Sequence, residues 1–316
     1  MHERWKRAVV HLETASDENR PEIEEQRVRG EITFAEYAAL LSSGSRKVRR
    51  YGTAVFFASE GRRYLITACH VLHDEEQALA NMRREEEDAQ RWPESMRADL
   101  LESASKRERD RIYGLVLRVP RFDDTNNTRR TPFLMNLGAG TSDSTPYTFG
   151  TELDLAVVSL DQRNRDFADE LIATGHVPIG PTDLADGPEE EGQYVLALGF
   201  PMSVSPVSQV LLPSAEQHWS SSLISLPAFS FGRVSMLHDA LPFFWTDLSA
   251  YPGHSGGPVV ANDRLVGILT HQATTPITEN DLTTHVGIPF GCVVKAAHLR
   301  ELIEKQKAKD ERWRRP

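Results

Sequence analysis

The sequence predicts an all-β protein made of two antiparallel barrels, with a charged helical insertion in the first and a helix near the C-terminal end of the second. Three observations carry this expectation. Short apolar runs of strand length recur through most of the chain, and Gly, Pro, Asp and Asn punctuate them. The long stretch of helical character between Asp74 and Arg111 is too charged to form a core.

The elements follow in order. "RAVVHLE" at 7–13 reads as a short strand, and the polar stretch after it as loop and helix. "YGTAVFFAS" at 51–59 alternates as a half-buried strand does, and "EGR" links it tightly to "RYLITACHVL" at 63–72. The insertion near 75–111 reads as two solvated helices, with Pro93 where the second begins. "IYGLVLRVP" and "LDLAVVSL" are strands on either side of the loop "DDTNNTRRTP", the second of them buried and rich in branched residues. From Asp161 to Glu191 the chain is polar, and "GPTDLADGPEEEG" suits a link between barrels. The strands "QYVLALGFP", "SQVLLPS", "FSFGRVS", "LPFFWTDLS", "GGPVV", "RLVGILT" and "THVGIPF" then build the second barrel. Beyond Val294 a basic helix presents Ala297, Leu299 and Leu302 on its apolar side, expected against that barrel. The division is therefore 1–185, an N-terminal extension and first barrel with the insertion, and 186–316, the second barrel and closing helix.

Composition narrows the function. A chain of 316 residues with 40% apolar content buries a substantial core, and its formal charge of -10 argues against a nucleic-acid footprint. No run approaches the roughly 20 apolar residues that cross a bilayer, and the opening "MHERWKRAVV" lacks the pattern of a signal peptide. Two cysteines do not make a disulfide framework, so the expected compartment is the reducing cytoplasm, with no membrane partner.

The chemistry gathers at "GHSGGPVV", where three glycines surround Ser255 at a turn between strands. Such a turn holds a serine in a constrained conformation with backbone amides exposed. A nucleophilic serine needs a base on a rigid element, and His70 ends the apolar run "YLITACH". The base needs a carboxylate largely withdrawn from water, and Asp154 enters "LDLAVVSL", whereas Asp123, Asp124 and Asp161 sit in polar surroundings. His70 and His73 are neighbours, but no Cys/His cluster completes a metal shell, and no metal or other cofactor is expected.

"TACHV", "DLAVV" and "TDLSAYPGHSGGPV", in this order across residues 67–260, resemble the histidine, aspartate and serine motifs of the trypsin/chymotrypsin-like serine peptidases. The likeness is greatest to their bacterial branch, which includes the HtrA-type proteases. The resemblance implies a chymotrypsin-like double β-barrel and hydrolysis of a polypeptide substrate through an acyl-enzyme. It makes Ser255 the nucleophile, His70 the base and Asp154 the orienting acid, with the Gly253 and Ser255 amides as oxyanion hole and Thr270 as a support beside the aspartate. It also marks Ser249 and Ala250 as the pocket base and His271 and Gln272 as its border, without the carboxylate a Lys/Arg preference requires.

The chain departs from the secreted enzymes of that family. Val71 follows the histidine where they have a cysteine, and His254 precedes the serine where they have an aspartate used in zymogen activation. The PDZ module common after HtrA-type proteases is not expected after Gly267. Two alternatives remain open: a catalytically inactive peptide-binding or regulatory protein on the same fold, and an esterase. The insertion suggests a regulatory protein partner, against the plainer reading of passive surface helices.

Overall fold

The computed structural model describes residues 2–16, 26–33, 35–36, 47–109, 111–113, 115–124, 133–135, 137, 145–202, 225–279 and 282–314. The chain divides into two compact units, a larger one of Met1–Glu13, Arg50–Val71 and Val116–Pro316, and a smaller one of Thr14–Arg49 and Leu72–Leu115.

In the larger unit a short helix α1 (His2–Ala8) leads into β1 (Val9–Ser16). β2 (Lys47–Ser59) and β3 (Arg62–Ala68) form a hairpin with Ala54 opposite Thr67 and Ser59 opposite Arg62. Its two-residue turn puts Glu60 and Gly61 at positive φ, the geometry whose twist matches the strands it joins. After β4 (Leu115–Arg118), β5 (Phe133–Met135) and β6 (Tyr147–Gly150), the fully buried β7 (Leu155–Ser159) pairs with β3. The seven-stranded sheet runs β5-β4-β1-β2-β3-β7-β6.

β8 (Tyr194–Gly199), β9 (Ala228–Met236), β10 (Phe243–Thr246), β11 (Pro258–Ala261), β12 (Arg264–Glu279) and β13 (Leu282–Lys295) close into a six-stranded barrel, ordered β10-β13-β12-β11-β8-β9. This barrel and the seven-stranded sheet make the chymotrypsin-like fold that the resemblance implies. The sheet itself remains open among the described residues, with β5 and β6 at its edges. The predicted strand "SQVLLPS" and the loop "DDTNNTRRTP" after Asp124 lie outside those residues.

One apolar core joins the two sheets. Val55, Phe57, Ile66 and Val157 from the first pack with Leu196, Leu198, Val260 and Ile268 from the second. At about 25 cal/mol per Å2 of apolar surface, this shared core is the main force holding the two sheets together. A second cluster, including Phe244, Leu248, Val259 and Leu269, fills the barrel. After the one-turn helix α2 (Cys69–Leu72) come α3 (Glu75–Ala89) and α4 (Glu94–Arg109) in the smaller unit, then α5 (Leu160–Arg163), α6 (Arg165–Ala173) and α7 (Ala297–Arg314) in the larger. No helix among the described residues is long and apolar enough to cross a membrane.

The final helix differs from expectation: α7 packs on β6 and β7 of the seven-stranded sheet. Its buried side is more polar than the Ala297, Leu299 and Leu302 pattern suggests, since Gln306 and Asp310 are also buried. Ser159 Oγ donates to Asp310 Oδ2 at 2.7 Å and Thr148 Oγ1 to Gln306 Oε1 at 2.8 Å. Buried polar groups with such partners escape the desolvation cost that otherwise keeps them at the surface.

Candidate active site

Strand register brings His70 to Asp154. Ala68, the last residue of β3, lies opposite Leu155, the first of β7. The chain leaving β3 therefore meets the chain entering β7, and Cys69 N donates to Asp154 O at 2.9 Å. His70 stands on α2 just past the strand and not on its last residue. Asp154 ends a 3-10 turn, Thr151–Leu153, in a left-handed conformation with φ of 52°. Aspartate tolerates this region better than most side chains.

The pair is held at two points. His70 Nδ1 and Asp154 Oδ2 are 2.7 Å apart, and the His70 backbone amide donates to Asp154 Oδ1 at 2.9 Å. Both carboxylate oxygens thus fix one histidine, the first its ring and the second its main chain. The Asp154 side chain is only 16% exposed, so little water competes for these bonds.

Ser255 arrives from the barrel on a turn fastened to the other sheet. Thr53 of β2 donates its amide to Ser255 O at 2.8 Å and its hydroxyl to Gly253 O at 2.7 Å, and that hydroxyl accepts Phe200 N at 3.1 Å. Gly253 has a φ of 100°, and a Cβ there would overlap the Phe200 carbonyl oxygen. Gly256, with φ of 85°, lies so close to Thr53 O that a side chain is excluded there too. Within the turn the amides of His254, Gly256 and Gly257 bond Tyr251 O, Leu269 O and His254 O. Those of Gly253 and Ser255 take no hydrogen-bond acceptor among the described residues. The two amides without an acceptor are the two predicted as an oxyanion hole.

The Ser255 hydroxyl donates to Thr270 O at 3.3 Å, and among the described residues it makes no hydrogen bond to His70. The free carbonyl comes from a bulge in β12. Leu269 pairs with Val293 and His271 with Cys292, which leaves Thr270 as an extra residue outside the ladder.

The bulge also alters the expected surroundings of Asp154. Thr270 Oγ1 donates to Cys292 O at 3.4 Å and lies 3.0 Å from His271 Nδ1, so its hydroxyl does not support the aspartate directly. The group facing Asp154 is His271, expected to border the substrate pocket, with Nε2 3.6 Å from Oδ2. Gln272 donates to Ile288 O at 3.1 Å; Ala250 is buried in the barrel core, and Ser249 is half-buried. Residues 203–224 lie outside the described residues.

Two neighbours have shifted acidities. Burial pushes the Cys292 thiol up to about 11, so it stays protonated at neutral pH. Burial lowers His254 to about 4, leaving it neutral beside Ser255, where Nδ1 accepts Tyr251 N at 3.2 Å. Thr53 had no sequence signal: a threonine in a strand is ordinary, and its role comes from residues 147 and 200 positions away.

The site therefore sets a histidine–aspartate pair and a glycine-rich serine turn on the two sheets of this fold. The sequence profile described as the trypsin-like peptidase domain matches residues 52–268, and the chain belongs to that family. No curated protein matches it at a significant level. Among solved structures it is similar to the active form of the Rv3671c protease from M. tuberculosis, at 13% identity and a TM-score of 0.43, covering 95% of this chain and 81% of that one.

Proposed function

We propose that this peptidase is a serine endopeptidase in which Ser255 attacks the scissile carbonyl, His70 takes and returns its proton, and Asp154 holds the imidazole. The observation that carries this reading is the two-point attachment of His70 to Asp154, through Nδ1 at 2.7 Å and the main-chain amide at 2.9 Å. With Nδ1–H engaged by the carboxylate, Nε2 carries the lone pair that a general base requires. The carboxylate then stabilises the imidazolium as it forms.

The Gly253 and Ser255 amides supply the oxyanion hole, each worth on the order of 3 kcal/mol to a comparable transition state. The hydrogen bond from Ser255 to Thr270 O holds the hydroxyl before substrate arrives. Catalytic hydrogen bonds commonly tighten only in the substrate complex, and a rotation of the serine side chain is the step required. A reducing, cytoplasmic setting suits the two cysteines, both free thiols.

The same resting bond favours a second reading, in which the cleft binds peptides without turnover. A fluorophosphonate separates the two. Labelling of Ser255 is expected in the wild type, absent in Ser255→Ala and sharply reduced in His70→Ala. An unlabelled wild type, with peptide binding retained, would replace hydrolysis by binding as the function.

A further inference from the structure

His70, Asp154 and His271 each bring a ligand atom within 4.8 Å of the other two. Two imidazoles and one carboxylate form a donor set suited to a borderline d-block cation. Donors about 2.1 Å from one tetrahedral zinc ion stand about 3.4 Å from each other. His271 Nε2 and Asp154 Oδ2, 3.6 Å apart, already meet that spacing. His70 Nδ1 and Oδ2, 2.7 Å apart, are at hydrogen-bond length and must open by about 0.7 Å once their shared proton leaves.

The hydrogen bonds around His271 orient it for the same task. Thr270 Oγ1 donates to Cys292 O at 3.4 Å, and in the ring tautomer protonated on Nδ1 His271 donates to that same Thr270 oxygen at 3.0 Å. His271 Nε2 then turns a lone pair toward the Asp154 carboxylate. Two electron-rich groups facing each other at 3.6 Å repel unless a cation lies between them. A ligand histidine characteristically donates its other ring N–H in this way. His271 is 61% exposed and His70 28%, which opens the site to an ion from solvent and leaves its fourth position to water.

We propose that His70, Asp154 and His271 form an inhibitory site for a divalent d-block cation, with zinc as its representative. Zn2+ sheds bound waters, His70 gives its Nδ1 proton to solvent and takes one from solvent on Nε2, and Zn–Nδ1 and Zn–Oδ2 bonds replace the Nδ1–H···Oδ2 hydrogen bond, with no change in oxidation state or in the number of ring protons. The neutral imidazole then carries its one proton on Nε2. It has no lone pair left to take a proton from Ser255. Magnesium, which demands oxygen ligands and octahedral geometry, does not substitute.

Inhibition rests on the proposed role of His70, whereas binding does not, so the test reads them separately. Calorimetric titration of ZnCl2 into the full chain is expected to find one zinc per chain, with affinity reduced about tenfold or more in His271→Ala and in the more conservative His271→Asn. The exposed His238→Ala serves as the control and should bind as the wild type does. Circular dichroism checks the fold of each variant, and either folded His271 variant suffices. Absence of zinc binding to the wild type, or wild-type affinity in a folded His271 variant, overturns the site. In parallel, zinc should suppress fluorophosphonate labelling of the wild type, EDTA should restore it, and the His271 variants should need about tenfold more zinc relative to their own metal-free rates. Zinc binding that leaves labelling intact overturns the inhibitory assignment. A wild type that binds zinc but never labels, with or without EDTA, leaves the metal site standing and removes the proposed serine chemistry.

Discussion

Thr53 illustrates how one side chain positions a site it does not enter. Its hydroxyl donates to Gly253 O and accepts Phe200 N, while its amide holds Ser255 O. Thr53→Val keeps the volume and removes both hydroxyl contacts, leaving two buried main-chain groups unpaired at a cost of about 1–3 kcal/mol each. The substitution should lower the denaturation midpoint and slow Ser255 labelling in the fraction that remains folded, because the Gly253 carbonyl loses the contact that orients the turn. Urea titration together with the labelling rate checks both. Unchanged stability would show that the Thr53 hydroxyl is not the clamp. Gly253 is a different case: its φ of 100° and the adjacent Phe200 carbonyl exclude a side chain outright, so glycine there follows from backbone geometry and steric room.

At the scale of elements, the charged insertion forms a helical hairpin with a closed stem. Asp74 N donates to Arg111 O at 2.9 Å, Tyr113 N donates to Leu72 O at 3.0 Å, and His73 bridges Ile112. Asp74 caps α3 by accepting Gln77 N at 3.2 Å, and Asn81 of α3 donates to Glu108 of α4 at 2.9 Å. Because the stem ends already lie side by side, residues 75–110 can be replaced by a short glycine linker at a small loop-closure cost. The shortened chain should keep its thermal midpoint within a few degrees, and a regulatory role for the hairpin requires that its turnover or partner dependence change. A collapse of the fold would make the hairpin structural, and unchanged kinetics across a partner screen would make it passive. The bulge in β12 acts at the same scale. One extra residue, Thr270, frees a carbonyl for Ser255 and carries His271 to Asp154.

For the whole molecule, three buried histidines link folding to pH. Burial is the main cause of each shift, lowering His11 and His176 to about 3 and His254 to about 4, against 6.5 for an ordinary imidazole. Below 6.5 the unfolded chain takes up protons that the folded chain refuses, so folding stability is complete above about 6.5 and is lost as pH falls toward 4. Each histidine contributes a slope of roughly 1.4 kcal/mol per pH unit inside that window. Chemical denaturation at pH 7.5 and 5.5 should therefore differ by a few kcal/mol, before most carboxylates begin to titrate. A flat stability over that interval would mean that the three rings gain protons in the folded state. His11, stacked on Phe200 at 4.8 Å and bonded to Ser225 at 2.7 Å, ties this dependence to the segment that supports the serine turn.

The sequence by itself determined the class of fold and the three motif centres. Strand periodicity, turn residues and the composition around His70, Asp154 and Ser255 are local properties, written in runs of five to fourteen residues. The two-residue turn at Glu60–Gly61 and the start of α4 behind Pro93 were legible for the same reason. Only the tertiary structure decided which sheet α7 covers, because Gln306 and Asp310 become buried residues only through partners on strands about 150 positions earlier. It decided the clamp at Thr53 for the same reason. His271 and Thr270 are adjacent in sequence, and regular strand alternation says only that they face opposite ways; the bulge, which depends on how β12 registers against β13, sends His271 to Asp154. Register is a long-range agreement between chains of hydrogen bonds, and no local window of sequence contains both sides of it.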